Sequence, residues 1–239
     1  MAKTKKISAI VLSDGKQDKK LFKKCLDSLT WCDEVLQINT NKIQGSFSQW
    51  RNEGLKEETG EWVLYIDSDE EVSQDLRSEI EIEIRQDKYS AYALPRRNII
   101  FGQEFKYSGQ YPDYQKRLFL RSKILKWTGE LHEEPEMEES ASQRMGHLKN
   151  PIIHHKNITI AQMIEKTNKW SEIEAKLLLD ANHPQMNFTR FLSAALREFF
   201  LRMFKQLAFM DGVKGVIYAL YQVYSKLITY SKLWELQLK

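Results

Sequence analysis

Asp67 and Asp69, two carboxylates one residue apart, follow directly on the apolar run Trp62-Val63-Leu64-Tyr65-Ile66. A short run rich in β-formers, with Gly60 ahead of it as a breaker, has the pattern of a buried strand. Both acids then stand at its carboxyl end, the edge of an open α/β sheet where ligands bind. Residues one apart can face the same pocket there, and two hard oxygen donors suit Mg²⁺ or Mn²⁺ held jointly with the phosphates of a substrate. The stretch Ser68-Asp69-Glu70-Glu71 equally suits the start of a helix near Val72, because carboxylates favour a helix N-terminus. Arginines form a second group. Arg96, Arg97, Arg117 and Arg121 each offer a guanidinium fork for phosphate oxygens, and Arg117 is the best placed, inside Gln115-Lys116-Arg117-Leu118-Phe119. His154-His155 end the apolar stretch Pro151-Ile152-Ile153, and strand alternation sends their rings to opposite faces, so at most one should enter a site.

Strands and helices alternate in the first hundred residues. Ile7 to Leu12, Glu34 to Asn39 and Trp62 to Ile66 read as strands, and Asp18 to Leu29, Phe47 to Glu58 and Gln74 to Arg85 as helices. That order predicts an α/β fold with a mostly parallel sheet. Tyr89 to Pro95 and Gln115 to Arg121 add strands, Phe101 to Asp113 is a glycine- and aromatic-containing loop over the sheet edge, and Ile160 to Asp180 is a long helix. Glycine-rich phosphate loops are missing, which argues against a P-loop enzyme or a dinucleotide dehydrogenase. Cys25 and Cys32, seven residues apart, read as buried thiols on one helix face.

At 239 residues and 42% hydrophobic composition, a catalytic domain over 1–187 and an appendage over 188–239 is the natural partition. The apolar run after the N-terminal lysines is too short for a signal peptide, so the chain reads as cytoplasmic. The net charge of +3 hides an asymmetry: residues 188–239 hold eight Lys/Arg against three Asp/Glu, a net of +5, leaving −2 for the rest. The same segment carries eleven of the 27 aromatic residues. Basic and aromatic together is the composition of an amphipathic helix lying on the inner face of the cell membrane, and equally of a homodimer interface. Its longest uncharged run, Gly215 to Ser225, is eleven residues, where a span needs roughly 20.

Gln49-Trp50-Arg51-Asn52-Glu53, Gly60-Glu61-Trp62-Val63-Leu64, Asp67-Ser68-Asp69-Glu70-Glu71-Val72, Arg96-Arg97-Asn98, Phe101-Gly102, Gly109-Gln110-Tyr111-Pro112-Asp113, Arg117-Leu118-Phe119-Leu120-Arg121, Gly129-Glu130-Leu131-His132-Glu133 and Lys232-Leu233-Trp234-Glu235 occur in this order. Together they resemble family-2 glycosyltransferases, in particular the bacterial branch that adds glucose to the lipopolysaccharide inner core. The resemblance implies a GT-A-like, Rossmann-type sheet with helices on both faces, inverting transfer, a UDP-sugar donor, a divalent metal (Mn²⁺ or Mg²⁺), and a lipopolysaccharide-core or other lipid-linked glycan acceptor, with no nucleic acid involved. It further implies that Asp69 binds the metal, Asp67 the metal or ribose, and His132 the metal or diphosphate. Ser13, Asp14, Asn39 and Arg51 would hold the nucleotide and Arg117 its phosphates. Inversion needs a base for the acceptor hydroxyl. Glu133 falls where the family keeps its His-Glu, Asp113 after Tyr111-Pro112 competes with it, and the acidic run from Glu133 to Glu139 can also be plain solvated loop. Where relatives carry an acidic stretch after strand two, this chain has Asn39-Thr40-Asn41-Lys42. Two other readings are a non-catalytic membrane adaptor that retains the fold and a metal-dependent phosphohydrolase.

Overall fold

Ile7–Ser13 (β1), Glu34–Asn39 (β2) and Trp62–Asp67 (β3) pair in parallel, with β1 in the middle, its Leu12 opposite Asp67 and its Ser13 opposite Asn39. Interior parallel strands are covered on both faces and read as continuous apolar runs, which is the composition of β1 and β3. The computed structural model describes residues 5–15, 18–43, 45–129, 133–138, 145–156 and 159–239. They group into two compact units, Met1–Arg97 with Pro112–His155, and Asn98–Tyr111 with Lys156–Lys239.

In the first unit, side chains alternate between two cores. Ile7, Ala9 and Val11 of β1 and Trp62, Leu64 and Ile66 of β3 face one, with Cys25 of helix Lys19–Asp27 (α1) and Leu76 and Ile80 of helix Gln74–Glu83 (α3). Ile10, Leu12, Val63 and Tyr65 face the other, with Leu55 of helix Phe47–Glu57 (α2) and Trp127. This is the expected α/β architecture with helices on both faces. At Gly54, α2 approaches β1 so closely that a Cβ would stand 2.5 Å from Ile10 Cγ2. Beyond β3 the pairing turns antiparallel, to Asp113–Leu120 (β7) and then Ala91–Ile100 (β5). Gln103–Glu104 (β6) and Met145–His147 (β10) are short strands that also pair with β5, and Ile124–Thr128 (β8) and Glu134–Met137 (β9) form a separate hairpin.

Two expectations need correction. Glu70–Val72 is a strand (β4), paired antiparallel with Ile152–Lys156 (β11), and the cap of α3 is Ser73, whose hydroxyl accepts from Leu76 N at 3.2 Å. The acidic run therefore does not cap a helix, because its residues are used in pairing. Cys25 is buried in α1, but Cys32 lies beyond that helix's end and is only half-buried; both are free thiols. Burial lifts both, Cys32 to about 12, so neither is a nucleophile near neutral pH.

The second unit is helical. Ile160–Asp180 (α4) packs on Gly212–Gln237 (α6), where Thr229 Oγ1 donates to Glu174 at 2.9 Å, and Phe188–Phe200 (α5) joins them around Ala175, Met186, Ala194, Tyr230 and Leu233. After α5 the chain continues in a wider turn over Leu201–Lys205 and breaks at Leu207, which takes φ +52°. Asp211 has a task of its own. Its carboxylate accepts from Lys106 N at 3.0 Å, Tyr107 N at 3.1 Å and Ser108 Oγ at 2.9 Å, and its carbonyl accepts from Gln103 Nε2 at 2.9 Å. The segment 103–108 is thus moored to the start of α6, and Phe105 is buried against Tyr218. Among the described residues no helix is long and apolar enough to cross a membrane. Asp211→Ala strips a buried anion from several donors and leaves their N–H groups unsatisfied, so chemical denaturation should show a loss of about 3 kcal/mol, with Asp211→Asn losing less.

Candidate functional site

The carboxyl ends of β1, β2 and β3 bring Ser13, Asp14, Asn39 and Asp67 to one sheet edge. Asp14 and Asn39 are exposed. Asn39 Oδ1 accepts from Asn41 N at 3.0 Å, and Asn41 in turn donates to the Asp14 carbonyl, so the two strand ends are tied side by side.

Asp67 is the centre of the site. Its Oδ2 accepts from Arg117 Nη2 at 2.5 Å and its Oδ1 from Arg51 Nη2 at 3.2 Å. Arg51 comes from α2, where Tyr65 and Trp127 lie against its guanidinium at 5.5 and 5.0 Å, and it also donates to Glu133 Oε1 at 3.1 Å. On the other side Arg117 Nη2 reaches Glu70 Oε1 at 3.2 Å, Arg96 Nη1 stands 3.5 Å from the same oxygen, and Arg96 Nη2 donates to Asp113 Oδ2 at 2.6 Å. The result is one chain of alternating charge, Asp113, Arg96, Glu70, Arg117, Asp67, Arg51, Glu133. Both candidate bases are in it, one at each end. Glu70 is fully buried and also accepts from Asp67 N at 2.9 Å.

Burial alone would push the Asp67 carboxyl up, but Arg117 and then Arg51 outweigh it and hold the group well below the usual carboxylate range. For Arg117 burial works against the charge, and Asp67 and Glu70 raise its pKa further above the ordinary arginine value. Both groups are therefore ionised near neutral pH.

Asp69 differs from its neighbour. Its side chain is 41% exposed, and His154 Nε2 lies 3.4 Å from its Oδ2. His155 Nε2, on the other face, lies 3.4 Å from Glu71 Oε2. Asp67 has both oxygens committed to guanidinium groups, so of the Asp67/Asp69 pair it is Asp69, with His154, that offers donors to a cation. Among the described residues no group of three His, Cys, Asp or Glu stands close enough to hold a metal by itself. His132, the third expected metal ligand, lies outside the described residues. Arg121 is turned away: it pairs with Glu58 and donates to Leu55 O at 3.1 Å, at the end of α2.

Sequence reasoning missed Glu70. The signal was present, since Val72 anchors the core and strand alternation places residue 70 on the same face, but it is hidden when Val72 is read as helical.

No protein-family model matches the chain. It is similar to uncharacterised glycosyltransferases of Rickettsia prowazekii, 26% identical over 205 residues, and Rickettsia typhi, 28% identical over 192; each alignment covers 75% of this chain. The chain spans just under two thirds, 64%, of the length of these curated relatives. Among solved structures, S. aureus TarS 1–349 in complex with UDP-GlcNAc superposes with a TM-score of 0.47 at 14% identity, over 96% of this chain and 90% of that one.

Removing Arg117 tests the network. Arg117→Met leaves Asp67 and Glu70 desolvated without their shared partner, and should cost about 3–5 kcal/mol in urea unfolding near neutral pH. Because folding depresses the Asp67 pKa, its contribution is fully present above the unfolded value of about 3.9 and fades as pH falls below it. The stability gap between wild type and variant should therefore narrow on acidification from pH 5 towards pH 2.

Proposed function

We propose that this protein is a metal-dependent, inverting family-2 glycosyltransferase that moves a hexose, glucose by resemblance, from a UDP-sugar to a lipopolysaccharide-core or other lipid-linked glycan. The observation that carries the reading is the pair of buried arginines that fix Asp67 at the end of β3 and tie it through Arg51 to Glu133. The names of the relatives agree with glycosyl transfer. The UDP-GlcNAc in the TarS complex is a donor of the same chemical class.

The geometry supports the following roles. Ser13, Asp14 and Asn39 line the edge that would hold the nucleotide, with Asp67 as its polar floor. Asp69 and His154, joined by His132, would hold Mn²⁺ or Mg²⁺, which when bound would neutralise charge on the leaving diphosphate. Arg51 acts as a positioning residue: it is almost wholly buried and aims the carboxylates of Asp67 and Glu133. Arg117 is likewise a positioning residue: almost wholly buried, it holds Asp67 from the other side rather than reaching the phosphates itself. Glu133 keeps 20% of its side chain exposed and takes the acceptor hydroxyl proton as oxygen attacks the anomeric carbon. Asp113 at the far end of the chain of charges is the alternative base. The tail over 188–239 holds the protein peripherally on the inner membrane face or pairs it with a second copy.

Turnover of UDP-glucose with Mn²⁺ and a lipopolysaccharide-core acceptor, read as UDP release, tests this. Glu133→Gln should lower the rate on the order of 10²–10⁴-fold while donor affinity, measured calorimetrically, is kept. If Asp113→Asn is the inactive variant instead, the base is Asp113. UDP release that does not require acceptor would point to a hydrolase, and an absence of both heat and turnover across a donor panel to an adaptor.

A further inference from the structure

Helix α5 leaves a row of large apolar side chains uncovered. Phe191 and Ala194 face inward to Tyr230 and Leu233 of α6. Phe188, Leu192, Leu196, Phe200 and, in the turn that follows, Phe204 recur every fourth residue, and the last four keep 48–60% of their surface exposed. At about 100° per residue this spacing draws a slowly winding stripe along one face. The start of α6 adds Val213, Ile217, Leu220 and Tyr224, all exposed, at spacings that again share a helix face.

The charges beside the stripe have one sign. Arg190 and Arg197, two turns apart, share one side of α5, where Arg197 flanks the stripe beside Phe200, and Lys205 and Lys214 follow; all four are exposed. The acids of the same stretch are Glu198 and Asp211. Glu198 is folded onto Arg202 at 2.7 Å, and Asp211 is buried in its loop contacts. Two copies meeting stripe to stripe across a two-fold axis would bring these cations together, with no acid on the face to offset them. An anionic lipid surface neutralises them and accepts the phenyl and leucyl groups at the acyl boundary.

We infer that the Phe188–Phe204 stripe with its basic edge is a lipid-binding face, docking the helical unit in plane on an anionic bilayer. Neither nucleotide sugar nor acceptor is needed for this contact. Failed transfer leaves the lipid face standing, and failed lipid binding leaves the transfer reading standing.

The 239-residue chain should sediment with phosphatidylcholine vesicles containing phosphatidylglycerol and stay in solution with phosphatidylcholine alone. High salt should weaken the binding by screening the basic edge. Leu196→Glu with Phe200→Glu places charge on side chains that already face water, so the far-UV circular dichroism should be unchanged while partitioning falls on the order of tenfold. Arg190→Glu with Arg197→Glu should lower it similarly without touching an apolar group. Wild-type sedimentation by both double variants overturns the inference. So does a protein that ignores the vesicles and elutes as a dimer split by Leu196→Glu with Phe200→Glu, which makes the face a self-association surface.

Discussion

The carboxylate of Asp67, gripped from two sides by Arg117 and Arg51, is the constraint on which the sheet edge depends. A charge at the end of an apolar strand is expensive unless it is paired and hydrogen-bonded. Here the pairing propagates: each guanidinium needs another carboxylate to occupy its remaining N–H groups, and each added carboxylate needs a further cation. The chain ends at Asp113 and Glu133, which keep 25% and 20% of their side chains exposed and so meet water. Arginine suits every bridging position, since one planar fork serves two acids at fixed angles and remains charged when buried, whereas a lysine's point charge is less directional and loses its proton more readily on burial.

Such a network is weak evidence of stability, since a well-packed apolar replacement is often no worse. Its value is in register. Arg51 comes from α2, Asp67 from β3, Glu70 from β4, Arg96 from β5, Arg117 and Asp113 from β7, and Glu133 from the lead-in to β9. Six elements are held at one edge by contacts that tolerate little displacement. The division of labour within Asp67-Ser68-Asp69 follows. The first acid is consumed by this scaffold, and the second, a residue later and across the turn, is left to water and His154.

Much of this was legible in the sequence because the signals were short-range. The apolar runs at Ile7 and Trp62 and the helix over Ile160–Asp180 are properties of neighbouring residues. Glu70 and Arg51 were harder for different reasons. Glu70 sits in a strand of three residues, too short for periodicity to show and disguised by acids that also suit a helix start. By resemblance Arg51 is expected to hold the nucleotide, yet that it faces carboxylates rather than solvent depends on residues 16 and 82 positions away. Asp211 is the same case in the helical unit: next to a glycine it reads as a helix breaker, and its partners lie more than a hundred residues upstream.

Arginine is therefore used in two opposite environments in one chain, and burial separates them. Arg51 and Arg117 are almost wholly buried, each facing acids that fix its geometry, so replacing either disturbs a fold element as well as a charge. Arg190 and Arg197 stand in water on the edge of an apolar stripe, where only the sign of the charge and the length of the stem matter. Composition counts these residues alike. A basic balance informs on partners when the cations are exposed and their neighbouring acids are committed elsewhere, and that is the condition met along α5 and not at the end of β3.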